Sequence, residues 1–115
     1  MSPEDVFAWV KKEYGTIPDY PWNDQNAVLR HKKSGKWYGV ILKVQADKLG
    51  MDGKHLVDVL NVKCDPILIG SLREKPGIFP AYHMNKEHWI SILLNESTAK
   101  EEVIWLLAMS YDLTQ

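Results

Sequence analysis

The sequence predicts a two-layer α+β domain, an antiparallel β-sheet packed against helices, and three observations predict it. Apolar residues recur at helical spacing near both ends of the chain. Between them lie shorter apolar or alternating runs of strand length. With 115 residues, 45% of them hydrophobic and 25% charged, the chain suits one domain around a single core.

The first helix is the best signalled element. Ser2 can cap it, Pro3 suits its first position, Glu4 and Asp5 face the positive end of its dipole, and Gly15 stops it. Val6, Phe7, Trp9, Val10 and Tyr14 form its apolar face. The connection from Ile17 to Gln25 reads as an extended loop anchored by Tyr20-Pro21-Trp22. Ala27 to His31 and Lys36 to Val44 then form a hairpin whose turn is Lys32-Lys33-Ser34-Gly35. In the second strand Trp37, Gly39, Ile41 and Lys43 alternate with Tyr38, Val40, Leu42 and Val44. Both faces carry apolar residues, which marks a central strand.

Gln45 to Lys54 is a polar excursion expected to project, and Val57 to Val62 is the third strand. Asp65 and Pro66 open a short helix over Ile67 to about Glu74, which Lys75-Pro76-Gly77 ends. An irregular stretch runs through Pro80. His88 to Leu94 has the β-branched and aromatic residues of a strand. Thr98 with Glu101 reads as a capping box for a last helix, Ala99 to about Asp112, whose Val103, Leu106, Leu107 and Ser110 or Tyr111 face the core. The order αββ, β, α, β, α describes an antiparallel sheet covered by helices.

No apolar run approaches the roughly 20 residues that span a bilayer. The start, MSPEDVFAWVKKEYG, carries acids where a secretory signal carries bases, so a cytoplasmic location and no membrane partner are expected. Cys64 is the only cysteine, which excludes an internal disulfide and a multi-cysteine zinc site; it is expected in the core. No cofactor or metal is expected, and a monomer is. The formal net charge is −1, unevenly spread: residues 27–63 hold eight Lys/Arg against three Asp/Glu, a balance of +5, while the segments on either side are each −3.

The stretch KPGIFPAYHMNKEHWISILL, followed by a capped helix containing LLAMSYDL, resembles the signature half of the MmcQ/YjbR family. The matching residues are Pro80, Tyr82-His83, Met84-Asn85, Lys86, His88-Trp89 and Ser110-Tyr111. Pro21-Trp22 and Lys36 to Tyr38 agree more loosely, and the resemblance covers nearly the whole chain. It implies a frataxin-like (CyaY-like) arrangement and DNA binding through two projecting wings. Fold does not fix function, so the DNA expectation has to be argued at the site.

Two surfaces could hold a phosphate. Asn85-Lys86, in a short loop, can present backbone N–H groups, an amide and an ammonium, or can simply form a turn with Asn85 in the left-handed region. The hairpin tip, Arg30-His31-Lys32-Lys33-Ser34-Gly35-Lys36, concentrates five basic groups beside Trp37 and Tyr38; Lys48, Lys54 and His55 decorate the second excursion, and Lys43 and Lys63 could join the same surface. The plain alternative is a solvated edge that discourages strand association.

The candidate nucleic-acid contacts are therefore Arg30, Lys32, Lys33, Lys36, Lys43, Asn85, Lys86 and His88. Trp89 is expected in the core, with His88 facing solvent or a groove. His83 and His88 match no zinc spacing and no catalytic constellation, so no enzyme is expected. The expected function is weak, salt-sensitive, largely sequence-independent DNA binding. The alternative is a non-enzymatic module for a protein or small anionic ligand at the Tyr82 to His88 surface.

Overall fold

The capping signals at the N-terminus do what their chemistry allows. In the computed structural model, which describes all 115 residues, helix α1 spans Pro3–Tyr14. Ser2 Oγ accepts from the Asp5 N–H at 3.1 Å, and the Asp5 carboxylate accepts from the Ser2 N–H at 2.9 Å. Gly15, at φ 68°, closes the helix in the left-handed conformation that suits glycine. Asp65 likewise caps α2 (Pro66–Leu72) by accepting from the Ile67 N–H.

The predicted capping box at Thr98 and Glu101 does not form. Helix α3 is Lys100–Leu113, Ala99 takes the cap position and no side chain caps it. Thr98 is instead turned inward against Gly77, where a Cβ would collide with the Thr98 hydroxyl. Gly77 also has φ 84°, so backbone angle and close approach together require glycine there.

Five strands make one antiparallel sheet: β1 (Ala27–Arg30), β2 (Trp37–Gln45), β3 (Leu56–Lys63), β4 (Ile78–Pro80) and β5 (Trp89–Leu93), in the order β1-β2-β3-β5-β4. Strand β4 lies in the stretch expected to be irregular. Three residues between Pro76 and Pro80 are too few to show alternation, and an edge position tolerates Pro80. β2 is central, as its two-sided apolar pattern predicts, but its alternation breaks. Leu29 pairs with Gly39 and Arg30 with Trp37, leaving Tyr38 as a bulge. Tyr38 therefore joins the face of Gly39 and Ile41, while Trp37 joins that of Val40 and Leu42.

All three helices cover one sheet face. Val6 and Val10 from α1, Ile69 and Leu72 from α2, and Val103, Leu106 and Leu107 from α3 meet Leu29, Ile41, Leu60, Val62, Ile90 and Ile92 in one buried cluster. Cys64 is buried there too. The opposite face carries a small cluster of Val44, Val59 and Leu93. The excursion after β2 is folded rather than open: its backbone returns on itself through Ala46 N–H to His55 O and Asp47 N–H to Gly53 O, and Leu49 and Met51 pack on that small cluster. Trp89 is a correction as well. Ile90, not Trp89, points into the helical core; Trp89 is half-buried on the other face, opposite Lys63. No helix is long and apolar enough to cross a membrane.

Candidate functional site

Strand register decides which candidate residues can meet. Val40 pairs with Asn61, and Lys63 with Trp89, so the start of β2, the end of β3 and the start of β5 lie at one end of the sheet. The hairpin tip and the Tyr82 to His88 loop share that end. The β2–β3 connection with Lys48, Lys54 and His55 lies at the other, nine residues or about 30 Å along β2. The hairpin tip and the second excursion therefore lie at opposite ends of the sheet.

The eight candidate contacts separate in the same way. Lys33 and Lys36 are exposed at the tip with no carboxylate partner, and Lys86 and His88 are exposed on the neighbouring loop. Arg30 is held: its Nε donates to Asp19 at 2.9 Å, and its guanidinium lies 5.4 Å from the centre of the Trp37 ring. Lys32 folds back so that its ammonium rests over Gly15, at the negative end of α1. Lys43 is not brought to the site. It faces the helical layer towards the far end of β2 and pairs with Asp58 at 2.6 Å.

Asn85 departs most from the expected anion cradle. Its Oδ1 accepts from the backbone N–H groups of Glu87 at 2.8 Å and His88 at 3.2 Å, so both donors are already used. The left-handed residue of the loop is His83, at φ 57°, rather than Asn85. Asn85 therefore builds the turn.

Three polar side-chain and backbone groups pin this loop to the open sheet face. Ser91 Oγ donates to Asn61 Oδ1 at 2.5 Å, the Tyr82 N–H donates to Ser91 Oγ at 2.9 Å, and Asn61 Nδ2 donates to Tyr82 O at 2.8 Å. Asn61 and Ser91 are fully buried, which is stable only because each finds partners. Sequence reading missed both. The available signal was a lone asparagine within the apolar run of β3.

Between this loop and the Tyr20 to Asn26 segment lies a cleft of about 230 Å³. Val40 and Leu42 line it from β2, and Trp22, Trp37, Tyr82 and His83 surround it, with Asn26 and Asn61 as its polar lining. Trp22 meets Trp37 edge to face at 5.8 Å, and the Tyr82 and His83 rings are 4.0 Å apart. The cleft's histidine has no carboxylate beside it. No group of three His, Cys, Asp or Glu residues could hold a metal ion.

Behind the hairpin, on the helical side, the bulge sets Tyr38 among aromatic rings. Tyr14 and Tyr111 stack at 3.7 Å, and Tyr38 meets Tyr111 edge-on at 4.9 Å. The Tyr38 hydroxyl lies 2.5 Å from Thr16 Oγ1, and burial pushes its pKa up to about 12. His31 is buried rather than displayed at the tip, with Nε2 2.8 Å from Thr114 Oγ1. Burial lowers its pKa and the Lys36 charge adds to this, while a hydrogen bond with the Tyr111 backbone opposes them. Ser110 joins the layers: its Oγ donates to Tyr38 O at 2.6 Å and accepts from the Lys63 N–H at 2.9 Å.

These features define a small α+β domain with helices on one sheet face and, on the other, an aromatic cleft beside exposed cations. The chain belongs to the YjbR family, whose model matches residues 6–113. It is 46% identical to "Uncharacterized protein YyaQ" of Bacillus subtilis over 117 residues, covering 100% of this chain and 99% of that one. A crystal structure of a Pseudomonas syringae protein matches with TM-score 0.97 and 44% identity over 100% of both chains. A crystal structure of a Deinococcus radiodurans protein with a DUF419 domain shares the fold at TM-score 0.72 and 23% identity, over 97% of this chain and 77% of that one.

Proposed function

We propose that the chain is a DNA-binding protein of the cytoplasm that acts as a monomer and makes weak, largely sequence-independent phosphate contacts with the cations at the hairpin-tip end of its sheet. The observation that carries this reading is that Lys33, Lys36 and Lys86 are exposed without carboxylate partners at one end, where Lys63 is also half-buried on the open face. Free ammonium groups on one surface release counterions when they meet phosphates. Arg30, Lys43 and Asn85 play supporting parts or none, because their charges or hydrogen bonds are already engaged, while Lys32, drawn back over Gly15, adds to the field of the tip.

The test is fluorescence anisotropy with a labelled duplex. Raising salt from 50 to 200 mM is expected to weaken binding roughly 100-fold if about four phosphates are contacted. The double substitution Lys33→Glu with Lys36→Glu abolishes binding at low salt. A protein that fails to bind duplex at 50 mM salt overturns the reading.

A second reading is favoured by the apolar cleft beside the loop: a non-enzymatic module for a protein or small anionic ligand at the Tyr82 to His88 surface. An NMR titration separates the two. Shifts confined to that loop favour the module, and shifts centred on Lys33 and Lys36 favour DNA.

A further inference from the structure

Beyond phosphate contacts, the cleft itself has the chemistry of a ring-binding site. It is small, lined by Trp22, Trp37 and Tyr82, and holds no Lys, Arg, Asp or Glu, whereas whole-ligand pockets occupy about 300–1,000 Å³. At about 230 Å³ it suits one planar ring system rather than a ligand of several parts. Trp22 is 46% exposed, which leaves part of its ring free beside the cleft.

Backbone geometry shapes the two rims of the cleft. Only two non-glycine residues in the chain have positive φ, Asn23 and His83, both at 57°. Asn23 follows Trp22 on one rim of the cleft, and His83 follows Tyr82 on the other. Asn and His enter this left-handed region more readily than most residues, and here it sets the turns at the two rims. Each follows an aromatic residue that lines the cleft.

The surroundings indicate what kind of ring would enter. Lys36 directly precedes Trp37, and Lys63 is on the same sheet face as the cleft, both without a carboxylate partner. A ring carried on an anionic backbone satisfies both the aromatic cleft and these cations. We propose that the cleft takes an unpaired nucleobase, so that the protein engages single strands in preference to duplex. This rests on the nucleic-acid reading above and adds the substrate class.

Base identity is read weakly. Asn61 is held by Tyr82 and Ser91, and Asn26 Oδ1 accepts from the Lys43 N–H, so the amides are largely committed and the site offers ring faces. Stacking of this kind tolerates all bases.

The experiment titrates the full chain at 50 mM salt with a twelve-nucleotide oligothymidylate, a duplex of equal length and thymidine monophosphate. The single strand is expected to bind about tenfold or more tightly than the duplex and to quench tryptophan fluorescence. Trp22→Ala, on an exposed loop, is expected to weaken single-strand binding roughly tenfold and bring the two affinities close to parity. Trp22→Phe restores most of the preference, and Trp105→Ala, an exposed tryptophan on the helical layer, changes neither affinity.

Equal affinities with no effect of Trp22→Ala overturn the inference while leaving the phosphate-contact reading standing. Thymidine monophosphate binding as tightly as the oligonucleotide overturns the strand as the source of the base. No binding by either oligonucleotide overturns both readings.

Discussion

His31 shows how far a residue's role can depart from its place in a sequence. It sits in a run of bases, yet it is buried against Thr114 and Tyr111 and belongs to the packing between hairpin and helices. Burial lowers its pKa below the ordinary 6.5. An unfolded histidine takes up a proton near that value while the folded one resists it. The stability His31 contributes is therefore complete above about pH 6.5 and declines as pH falls through that value. Urea denaturation at pH 7.5 and 5.5 is expected to show a lower midpoint at 5.5, and His31→Gln is expected to shrink the difference. The basic character of the tip was legible in the sequence. Which of its members faces inward was not, because that depends on α3, some 80 residues away.

Among the elements, the helices announced themselves and the sheet did so only in part. Ser2, Asp5, Gly15 and Asp65 act locally, within a few residues, so their capping could be read directly. Thr98 has equally good local chemistry, but its hydroxyl is taken inward by packing against Gly77. β4 forms only because β5 offers it partners. The Ser110-Tyr111 pair that helped mark the family acquires a physical role: Ser110 bridges Tyr38 of β2 and Lys63 of β3 just beyond Val40 and Asn61, the last residues those two strands pair. Ser110→Ala leaves the buried Lys63 N–H and Tyr38 carbonyl without this partner. A loss of about 1–3 kcal/mol in urea titration is expected. Hydrogen exchange should quicken at the Lys63 amide first; unchanged protection there would exclude the bridge as a stabilising contact.

At the scale of the molecule, the +5 segment proves to be two populations of charge. A window from residue 27 to 63 covers a hairpin and the return strand, so its cations are divided between the two ends of β2 and between the two faces of the sheet. Composition found the excess, and only register could divide it. The division is measurable. Lys48→Glu with Lys54→Glu changes net charge as much as Lys33→Glu with Lys36→Glu, but at the far end. If DNA is held at the tip, the far-end pair should weaken duplex binding by less than about threefold in 100 mM salt, where fields fade over about 10 Å. Equal losses from both pairs would mean that overall charge, not a located surface, governs binding.

The extra residue at Tyr38 has a consequence for how the chain can vary. Because it changes the phase of β2, the indole before it and the phenol at it lie on opposite sides of one strand. Inserting a single residue between Tyr38 and Gly39 could not be absorbed as a longer turn. It would exchange the two rings, driving an indole into the space beside Thr16 and leaving a phenol beneath Arg30. Variation in length is better tolerated at Lys33 and Ser34, beyond the closing His31–Lys36 pair, where no side-chain phase has to be kept.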